Sequence, residues 1–451
     1  MNLGFVSQAF IWPPANDRPM PEVSVVGLGR VGLATGVAFA KFGHEVACYD
    51  IDPAKAKAIS AGKHLYHEKR LGNELRKVLR KGNFTATDNA GEALVGSSFY
   101  FICTGTPPLV DGSMDTKYVA EAAKLVGMAI KGRKNFPVVV VKSTVIPGTT
   151  EEIVAPALMR QSRLGPESFG LCMNPEFLRE GTAIEDTLKP DRIVIGSNDN
   201  RSGDVLENLH TDFDCVKWRC DIKTAEMVKY ASNAFLATKV TFANEIANIC
   251  GVFGLDADRV LEGMALDSRI GQKFLVPGVG FGGPCLSKDI RAVMSASSSK
   301  GYEPNLLKAV MDFNERQAVR AVKILEDEIG DLSGSRIALL GLAFKADTDD
   351  VRDSTAIPII QELLKHGATV IVHDPAASVS RIGEEMAAKQ VSTIREALKG
   401  SDGCIIQASW REYKELGKDD FSVMKKPIVV DGRRTLDRRS LPKGIIYRRI
   451  G

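Results

Sequence analysis

The chain has 451 residues, of which 44% are hydrophobic and 25% are charged, and its formal net charge at pH 7 is +3. One hydrophobic core does not organise a chain of this length, so we expect two or three domains. A nearly neutral chain argues against a nucleic-acid partner and permits small anionic ligands. No apolar run approaches the roughly 20 residues that cross a bilayer, and we expect neither a membrane segment nor a signal peptide.

Cysteine and histidine spacing bears on compartment and metal binding. The eight cysteines lie between Cys48 and Cys404 without a CxxC pair. This pattern indicates a reducing, cytoplasmic compartment rather than a disulfide framework. The six histidines show no ligand spacing, so no metal site is predicted. Residues 1–19 precede the first predicted strand and are interpreted as an N-terminal extension.

A strand–helix–strand unit follows this extension. Residues 23–27 form a β-branched run typical of a strand, 33–42 have helical character, and 45–49 predict a second strand that ends at Asp50. Further strands are predicted at 99–103, 138–142, 170–173 and 192–196. This alternation predicts an α/β fold with a doubly wound parallel sheet, and we place a Rossmann domain over 20–219.

The character of the chain changes after this domain. Residues 224–250 contain neither glycine nor proline and predict one long helix, within a central helical and dimerisation domain over 220–329. A second alternating region follows, with strands predicted at 336–340, 368–373, 403–407 and 427–430 and a helix at 357–365. It has Gly341-Leu-Ala-Phe-Lys345 where the first unit has a glycine-rich turn. We therefore expect a second Rossmann-like domain over 330–451 that takes a different ligand.

The glycine-rich turn is Gly27-Leu-Gly-Arg-Val-Gly32. Gly27 suits the tight turn, Gly29 lets the backbone approach a pyrophosphate, and Gly32 lets the helix pack on the strand. Asp50 lies about 20 residues further on, where it suits a ribose 2′-hydroxyl and repels a 2′-phosphate. The pattern predicts NAD rather than NADP, against the alternative of a purely structural turn. Lys55 is assigned to the adenosine end of NAD or to the solvated surface.

Hydroxyl side chains follow the third and fourth predicted strands. They are Thr104 and Thr106 in one loop and Ser143 and Thr144 in the other. Loops at the carboxyl ends of parallel strands bind ligand in open α/β sheets, so contacts with ribose or nicotinamide are expected. Turn formation is the alternative. The cofactor contacts predicted within the glycine-rich turn also include Leu28 and Val31.

Cys285 lies in Gly280-Phe-Gly-Gly-Pro-Cys-Leu-Ser-Lys-Asp289. Pro284 suits the first position of a helix, which would place the thiol at a helix N-terminus, where the dipole favours thiolate. Lys288 is interpreted as ionising the thiol or binding pyrophosphate, and Asp289 as orienting a water. A buried, inert cysteine is the alternative.

Two further polar groups are candidates for catalysis. Glu176 and Glu180 follow a predicted strand and suit general acid–base work, or a charged helix start. Lys229 and Asn233 lie one turn apart on the long helix. There Lys229 could stabilise an oxyanion, or simply extend its amine to solvent.

Seven motifs occur together in a fixed order. They are 27–32, Lys142-Ser-Thr, Asn174-Pro-Glu-Phe-Leu-Arg-Glu-Gly181, Lys229 with Asn233, 280–289, Phe344-Lys345 with Arg352, and Asp431-Gly-Arg-Arg434. With them the chain resembles the UDP-glucose/GDP-mannose 6-dehydrogenase family over about residues 20–440. The resemblance implies two Rossmann-like domains joined by a central region with a long helix.

The resemblance also implies a four-electron oxidation of the C6 alcohol of a nucleotide sugar by two NAD molecules. Cys285 would form a thiohemiacetal and then a thioester. Lys229 and Asn233 would stabilise oxyanions, while Asp289, Thr144 and Glu176 would order or activate water. The further cofactor contacts that it implies are Ser143, Glu180, Lys288 and Arg352.

Substrate contacts are implied around the same motifs, and Arg269 is expected to reach the sugar nucleotide from a neighbouring subunit of a homodimer or higher oligomer. The substrate-binding set is Glu176, Phe177, Leu178, Arg179, Lys229, Asn233, Arg269, Phe274, Leu275, Gly278, Gly282, Lys345, Arg433 and Arg434. Most branch-specific motifs resemble those for UDP-glucose, the favoured substrate, although Pro277 resembles the GDP-mannose and UDP-N-acetylhexosamine branches. A two-electron alcohol dehydrogenase with a structural Cys285 is the alternative.

Overall fold

The computed structural model describes residues 22–68, 70–383, 386–441 and 443–451. The extension predicted over 1–19 therefore lies outside the described residues. The chain divides into two compact units. One comprises the described residues up to Leu109 together with Met114–Lys229, and the other comprises Val110–Ser113 and Tyr230–Gly451. The division into three domains predicted from the sequence stays a prediction.

A mixed sheet forms the centre of the first unit. Its strands within the described residues are β1 (Val23–Val26), β2 (Val46–Tyr49), β3 (Phe84–Thr87), β4 (Phe99–Ile102), β5 (Val138–Val141), β6 (Gly170–Met173), β7 (Arg192–Ser197) and β8 (Val216–Cys220). Their spatial order is β3-β2-β1-β4-β5-β6-β7-β8. The order reverses between β1 and β4, and this switch point is where open α/β sheets bind ligand.

Helices cover both faces of this sheet. They are α1 (Arg30–Phe42), α2 (Pro53–Ser60), α3 (Leu71–Lys81), α4 (Ala90–Leu94), α5 (Lys117–Ala129), α6 (Ala155–Ser162), α7 (Ala183–Leu188) and α8 (Asn200–Leu209). Phe99 and Phe101 of β4 pack in the apolar cluster that contains α1, whereas Tyr100 and Ile102 pack in the cluster on the opposite face. A strand that is buried on both faces consists of a continuous run of apolar residues, as β4 does. The helices on both faces confirm the predicted doubly wound fold.

The last two strands of this sheet differ in direction from the rest. β6 pairs with β7 in antiparallel register, and β7 pairs with β8 in parallel. Between β6 and β7 lies α7, a helix of six residues. A helix of that length spans only about 9 Å, less than a six-residue strand, so it does not carry the chain back along the sheet for a parallel crossover.

One long helix leads out of the first unit. Helix α9 (Ile222–Phe253) has 32 residues and continues into the second unit. The long helix predicted over 224–250 is confirmed and extends slightly at both ends. No helix within the described residues has both the length and the apolar composition needed to cross a bilayer.

The second unit contains a further parallel sheet. Its helices are α10 (Ala257–Ala265), α11 (Leu286–Ser299), α12 (Asn305–Ile329), α13 (Ala356–Lys365), α14 (Ile394–Leu398), α15 (Arg411–Lys414) and α16 (Lys418–Phe421). Its strands within the described residues are β9 (Arg336–Leu340), β10 (Thr369–His373), β11 (Ala388–Gln390), β12 (Gly403–Ile406), β13 (Ile428–Asp431) and β14 (Ile446–Arg449). The spatial order β11-β10-β9-β12-β13-β14 confirms the second Rossmann-like sheet.

Each of the two sheets has an aspartate that binds backbone amides at the equivalent position. Asp50 follows β2 and accepts a hydrogen bond of 2.7 Å from the amide of Leu28. Asp374 follows β10 and accepts hydrogen bonds of 2.7 and 3.0 Å from the amides of Leu342 and Ala343. Each aspartate therefore ties the end of one strand to the turn that follows its neighbour.

Candidate active site

The glycine-rich turn joins β1 to α1 at the switch point of the first sheet. Gly27 has a φ of +98°, a left-handed conformation that glycine adopts without strain. A Cβ on Gly32 would lie 1.8 Å from the Gly27 carbonyl oxygen, whereas a Cβ on Gly29 would have no atom within 4 Å. Gly29 is thus open to a ligand, and the first amides of α1 point to the same place.

The carboxylate of Asp50 binds both the glycine-rich turn and the side chain of Lys55. Its carboxylate accepts the amide of Leu28 at 2.7 Å and that of Asp52 at 3.0 Å. Lys55 Nζ lies 3.1 Å from Asp50 Oδ2. The two polar residues predicted at the adenosine end of the cofactor are therefore in contact. Leu28 is buried and Val31 is half-buried, so Leu28 contributes its backbone rather than its side chain.

The predicted hydroxyl loops lie side by side after β4 and β5. Thr106 Oγ1 donates to the Thr144 carbonyl at 2.9 Å, and Ser143 Oγ donates to the Thr104 carbonyl at 2.7 Å. The hydroxyl of Thr104 is buried without a hydrogen-bond partner among the described residues. A buried, unsatisfied hydroxyl is destabilising, so this atom suits a ligand.

Glu68 is a site residue that the sequence analysis missed. Its carboxylate is buried and accepts the amides of Gly181 and Ala183, each at 2.9 Å. Glu180 in the same segment lies 3.0 Å from Arg30 at the start of α1. Glu68 therefore holds the loop that brings Glu180 against the glycine-rich turn. It lies in a strongly basic stretch of sequence that gives no sign of this contact.

Lys229 and Glu176 form a buried ion pair. Lys229 Nζ lies 2.8 Å from Glu176 Oε1, and their side chains are only 5% and 10% exposed. The other carboxylate oxygen, Oε2, accepts the amide of Leu178 at 2.8 Å, which fixes its orientation. The ring centroid of Phe177 is 5.7 Å from Lys229 Nζ. The two groups predicted as base and oxyanion stabiliser are thus in direct contact, which spacing along the chain did not indicate.

The residues beside this pair have different partners. Arg179 points away to Asp186, with Nη2 at 2.6 Å from Oδ1 on the surface. Lys142 is half-buried and donates to the side chain of Asn174 at 2.8 Å. Burial lowers the pKa of Lys142. Arg179 was predicted to bind substrate, and in this structure Asp186 holds its guanidinium.

Glu226 is a second residue that the sequence analysis missed. It lies on α9, three residues before Lys229, and is buried. Its carboxylate accepts the amides of Gly148 and Thr150 at 2.6 and 2.9 Å. Burial raises the pKa of Glu226. Both amides lie more than 70 positions away along the chain, so no local pattern indicates this contact, which anchors the chain beyond the Thr144 loop.

Cys285 immediately precedes α11 in the second unit. All eight cysteines lie within the described residues, and Cys285 is the one that is exposed. Burial raises the pKa of the thiols of Cys103 and Cys172 to about 12. Helix α11 begins at Leu286, so Pro284 lies in the preceding turn and the expectation that it is the first helical residue was wrong. The thiol still lies at the helix N-terminus.

Asp289 connects residues 280–285, which we call the thiol turn, to α9. Its amide donates to the Cys285 carbonyl at 3.0 Å. Its carboxylate is buried and accepts the side-chain amide of Asn233 at 2.6 Å and Lys288 Nζ at 2.7 Å. Lys288, predicted to ionise the thiol or bind pyrophosphate, thus forms an ion pair with its neighbour in this structure.

Asn314 fixes the start of the thiol turn. Its side-chain oxygen accepts the amide of Phe281 at 2.8 Å, and its side-chain nitrogen donates to the Phe281 carbonyl at 2.9 Å. A Cβ on Gly282 would lie 2.5 Å from the Asp353 carbonyl oxygen. Gly283, at a φ of +90°, packs against the ring of Phe344. The turn therefore requires glycine at these two positions.

Comparison with known proteins decides the family. The profiles of the UDP-glucose/GDP-mannose dehydrogenase family match residues 21–214 as its NAD binding domain, 223–316 as its central domain and 338–438 as its UDP binding domain. The chain belongs to the UDP-glucose/GDP-mannose dehydrogenase family. It is an NAD-dependent oxidoreductase that acts on a nucleotide sugar.

Individual members of the family are similar along nearly the whole chain. UDP-glucose 6-dehydrogenase TuaD of Bacillus subtilis is 38% identical over 96% of this chain and 93% of its own. A UDP-glucose dehydrogenase structure from Pyrobaculum islandicum has a TM-score of 0.87 and 39% identity, covering 97% and 99% of the two chains. A UDP-D-ManNAc dehydrogenase structure from Pyrococcus horikoshii has a TM-score of 0.84 and 27% identity, covering 95% and 98%.

The residues of the first unit fit the cofactor of the family. The open approach at Gly29, the carboxylate of Asp50 and the unsatisfied hydroxyl of Thr104 are the groups that would hold NAD. The predicted cofactor is confirmed by the match to the NAD binding domain.

Adjacent arginines of the UDP binding domain have different partners. Arg433 donates to the Gly280 and Gln407 carbonyls at 2.6 and 2.8 Å and to the Thr355 hydroxyl at 3.1 Å. Burial lowers the pKa of Arg433 to about 10. Arg434 instead forms an ion pair with Asp258. The two residues that the sequence analysis treated alike are therefore in different environments.

The remaining predicted contacts of the family lie on or near the surface of the second unit. Arg269 pairs with Asp267 in its own turn, and Arg352 pairs with Asp350. Lys345 Nζ lies 5.6 Å from the ring centroid of Phe344, which packs against the thiol turn. Each of these arginines pairs with an aspartate two residues before it, and both arginine side chains remain exposed.

Proposed function

We propose that the chain oxidises the C6 alcohol of UDP-glucose to the carboxylate of UDP-glucuronate with two equivalents of NAD. The observation that carries the proposal is the exposed Cys285 thiol at the start of α11, next to the hydrogen-bonded Asn233 and Asp289. NAD, when bound, takes up one hydride in each of the two oxidation steps. A two-electron dehydrogenase needs no such thiol.

The protein side chains supply the covalent and proton-transfer steps. Sγ of Cys285 adds to the C6 aldehyde, and oxidation of the resulting thiohemiacetal leaves a thioester. A water that has given up a proton to Glu176 attacks the thioester carbon, the C–S bond breaks, and the carboxylate and the thiol are released. Lys229 and Asn233 stabilise the oxyanion before and after the thioester, and Thr144 and Asp289 orient the water.

Arg433 supports a pyrophosphate-containing substrate. Its hydrogen-bond acceptors, the carbonyls of Gly280 and Gln407 and the hydroxyl of Thr355, are neutral. A half-buried cation whose side-chain partners are all neutral is unfavourable, so an anionic ligand would stabilise this arrangement. Because Arg433 also donates to the Gly280 carbonyl, we expect that anion to bind next to the turn that carries Cys285. We further propose Lys345 and residues 274–278 as contacts of the sugar nucleotide.

The names of the relatives favour UDP-glucose over other nucleotide sugars as the substrate. Proteins named for UDP-glucose are 35% to 39% identical to this chain, against 31% for a structure named for GDP-mannose and 27% for one named for UDP-D-ManNAc. Pro277 is the residue that favours another sugar nucleotide, as in the GDP-mannose and UDP-N-acetylhexosamine branches. The same chemistry on one of those substrates is therefore the second candidate.

The stoichiometry of NADH formation tests the proposal. Purified protein is incubated with limiting UDP-glucose, GDP-mannose or UDP-N-acetylglucosamine, and NADH is counted per sugar consumed. Two NADH per UDP-glucose, with UDP-glucuronate as product, is the expected result. One NADH per sugar would identify a two-electron dehydrogenase, and no turnover of UDP-glucose would overturn the choice of substrate.

We also propose that the protein is a homodimer formed through α9. Phe235, Phe242 and Ile249 lie seven residues apart on this helix and are all exposed. Residues with this spacing lie along one face of a helix, and an apolar face of this kind is stabilised when a second helix covers it. A second copy of the chain carries the same face and suits a twofold contact.

Light scattering of a variant tests the dimer. Replacing Phe235 and Phe242 together with glutamate should give a monomer, because charges at the centre of an apolar interface are not compensated. Leu306→Glu is the matched control, since Leu306 is an exposed apolar residue of α12. A wild-type monomer, or a double variant that stays dimeric, would contradict this interface.

A further inference from the structure

The segment 274–278 immediately precedes the thiol turn and alternates between exposed and buried residues. Phe274 and Val276 are exposed, whereas Leu275 and Pro277 are buried. Phe274 has a φ of +66°, a left-handed conformation that is unfavourable for an aromatic residue. Strained backbone persists only where the surrounding contacts hold it. The segment is therefore a fixed loop that presents two apolar side chains.

The end of the loop is held by residues far along the chain. The amide of Gly278 donates to the side chain of Asn244 at 2.6 Å, and its carbonyl accepts from Gln317 at 2.9 Å. A Cβ on Gly278 would lie 2.2 Å from the Gly432 carbonyl oxygen. These contacts fix the position of Gly278 but not that of the residues before it.

Arg434 holds the residue before Gly278. Its Nη1 donates to the Pro277 carbonyl at 2.7 Å, its Nη2 donates to the Ile450 carbonyl at 3.0 Å, and its Nε binds Asp258. The side chain is only 11% exposed. All three nitrogens of the guanidinium thus bind protein acceptors, and its backbone has a φ of +53°, again in the left-handed region.

Asp258 provides the charge that holds this arrangement in place. One carboxylate oxygen binds Arg434 and the other binds Arg449 on β14. Arg449 also lies 4.0 Å from Asp256, which caps α10. We call Asp258, Arg434 and Arg449 the Asp258 clamp. It connects α10 and β14 to the Pro277 carbonyl, and its two arginines share the one carboxylate.

We propose that Arg434 is a positioning residue, which fixes Phe274 and Val276 through Pro277 and so sets how well the sugar part of the substrate is recognised. In this proposal Arg434 does not touch the substrate, because all three of its guanidinium nitrogens already bind protein acceptors, one of them the carboxylate of Asp258. The side chain of its neighbour Arg433 binds only neutral acceptors, so its charge remains available for an anionic substrate. The inference rests on the proposed function, in which residues 274–278 contact the sugar nucleotide. It assigns recognition of the nucleotide to Arg433 and recognition of the sugar to Arg434.

Binding of UDP and of UDP-glucose to the full chain tests this division. Calorimetry gives the Kd of each ligand for wild type, Arg434→Lys and the matched variant Arg433→Lys. Lysine cannot reach Asp258, Pro277 and Ile450 at once, so Arg434→Lys loosens the loop. We expect it to weaken UDP-glucose about tenfold and to leave UDP within about twofold, because displacement of a positioned contact affects only that part of the ligand. Arg433→Lys should weaken both ligands to a similar degree.

Two results would overturn the inference. Weakening of UDP by Arg434→Lys to the extent seen for Arg433→Lys would mean direct contact, and unchanged binding of both ligands would mean no positioning. If Arg434→Lys does not fold, Asp258→Asn is the second variant. It removes the negative charge that pairs with Arg434 but leaves the hydrogen bond from Arg434 to the Pro277 carbonyl. We expect it to weaken the binding of UDP-glucose by a smaller factor than Arg434→Lys and to leave UDP unchanged. Failure of wild type to oxidise UDP-glucose would contradict the proposed function alone, and the clamp is then tested with the sugar nucleotide that is oxidised.

Discussion

Lys229 Nζ lies 2.8 Å from Glu176 Oε1, and both side chains are almost fully buried. Two charges in such a position stabilise each other, and removal of one leaves the other uncompensated, typically at a cost of about 3–5 kcal/mol. The pair therefore has a structural role in addition to its proposed catalytic one. Variants that test catalysis must therefore keep the shape of the side chains, and their folding must be checked by circular dichroism.

Glu176→Gln keeps the shape of the side chain but loses the hydrogen bond from Lys229, and it should separate oxidation from hydrolysis. The amide keeps an oxygen for the Leu178 amide but cannot take a proton from water. We expect a first burst of two NADH per active site, followed by turnover slower by a factor of about 10² to 10⁴. Mass spectrometry should find the acyl group on Cys285. The matched control is Glu185→Gln, a carboxylate paired with Arg70 near the surface, which should behave as wild type.

Cys285→Ser should abolish formation of the carboxylate. A hydroxyl at this position is a much weaker nucleophile than a thiolate, so the steady rate of NADH formation should fall by about 10³ or more. Cys215→Ser is the control, because this thiol is half-buried on the approach to β8. Full four-electron turnover by Cys285→Ser would contradict the thioester mechanism.

Asp50→Asn should change the choice between cofactors. The substitution keeps an oxygen for the Leu28 amide but removes the negative charge that repels a 2′-phosphate. Hydrogen bonds to charged groups contribute about 1.5–3 kcal/mol, so KM for NAD should rise by roughly 10- to 100-fold while NADP gains in relative terms. The measurement is kcat/KM with each cofactor. An equal loss with both would assign Asp50 to the turn alone.

His210 should make the fold sensitive to acid. The imidazole is buried against Phe39 and Phe213, and Nδ1 lies 2.8 Å from the Leu206 carbonyl oxygen. Burial lowers the pKa of His210 from 6.5 to about 3. Between these values the unfolded chain binds the proton and the folded one does not, so stability falls as pH falls below 6.5. At pH 5 this amounts to about 2 kcal/mol.

His210→Asn checks the sign of this effect. The variant loses packing at every pH, yet the free energy of unfolding of its first unit should fall less between pH 7 and pH 5 than in wild type. Denaturant unfolding followed at several pH values gives both slopes. Equal slopes would show that His210 does not contribute to the acid sensitivity.

The regular elements could be predicted where the burial pattern was strong. The long helix and the central strands are confirmed because continuous apolar runs and helical periodicity are local properties of the chain. Strands β3, β8, β11 and β14 were missed, and each of them lies at an edge of its sheet. In β8 the large side chains of Val216 and Trp218 are exposed, so the run lacks the apolar character of a buried strand.

Spacing along the chain predicted contacts of the candidate site only within local motifs, whereas the family resemblance grouped residues such as Glu176 and Lys229 that lie far apart in sequence. The glycine-rich turn and the thiol turn are local motifs, and the structure brings the predicted residues of each motif together. Glu68 and Glu226 were missed because their acceptor roles depend on amides that lie 113 and 78 positions away along the chain. A contact of that separation leaves no periodicity to detect. The same reason explains why the Lys229–Glu176 pair was not expected.

The carboxylate of Asp374 explains why two similar sheets take different ligands. One oxygen accepts the amides of Ala376 and Ala377, and the other accepts those of Leu342 and Ala343. Four backbone amides, which are fixed in place, therefore occupy both oxygens of Asp374 and leave no capacity for a ribose hydroxyl. Asp50 accepts only two backbone amides, and its other two hydrogen bonds come from the side chain of Lys55, which can move aside for a ligand. A copy of the dinucleotide fold that saturates its acid in this way keeps its shape but loses its adenosine site. Under the proposed function, nucleotide recognition in such a copy comes from a turn elsewhere, the one that carries Arg433.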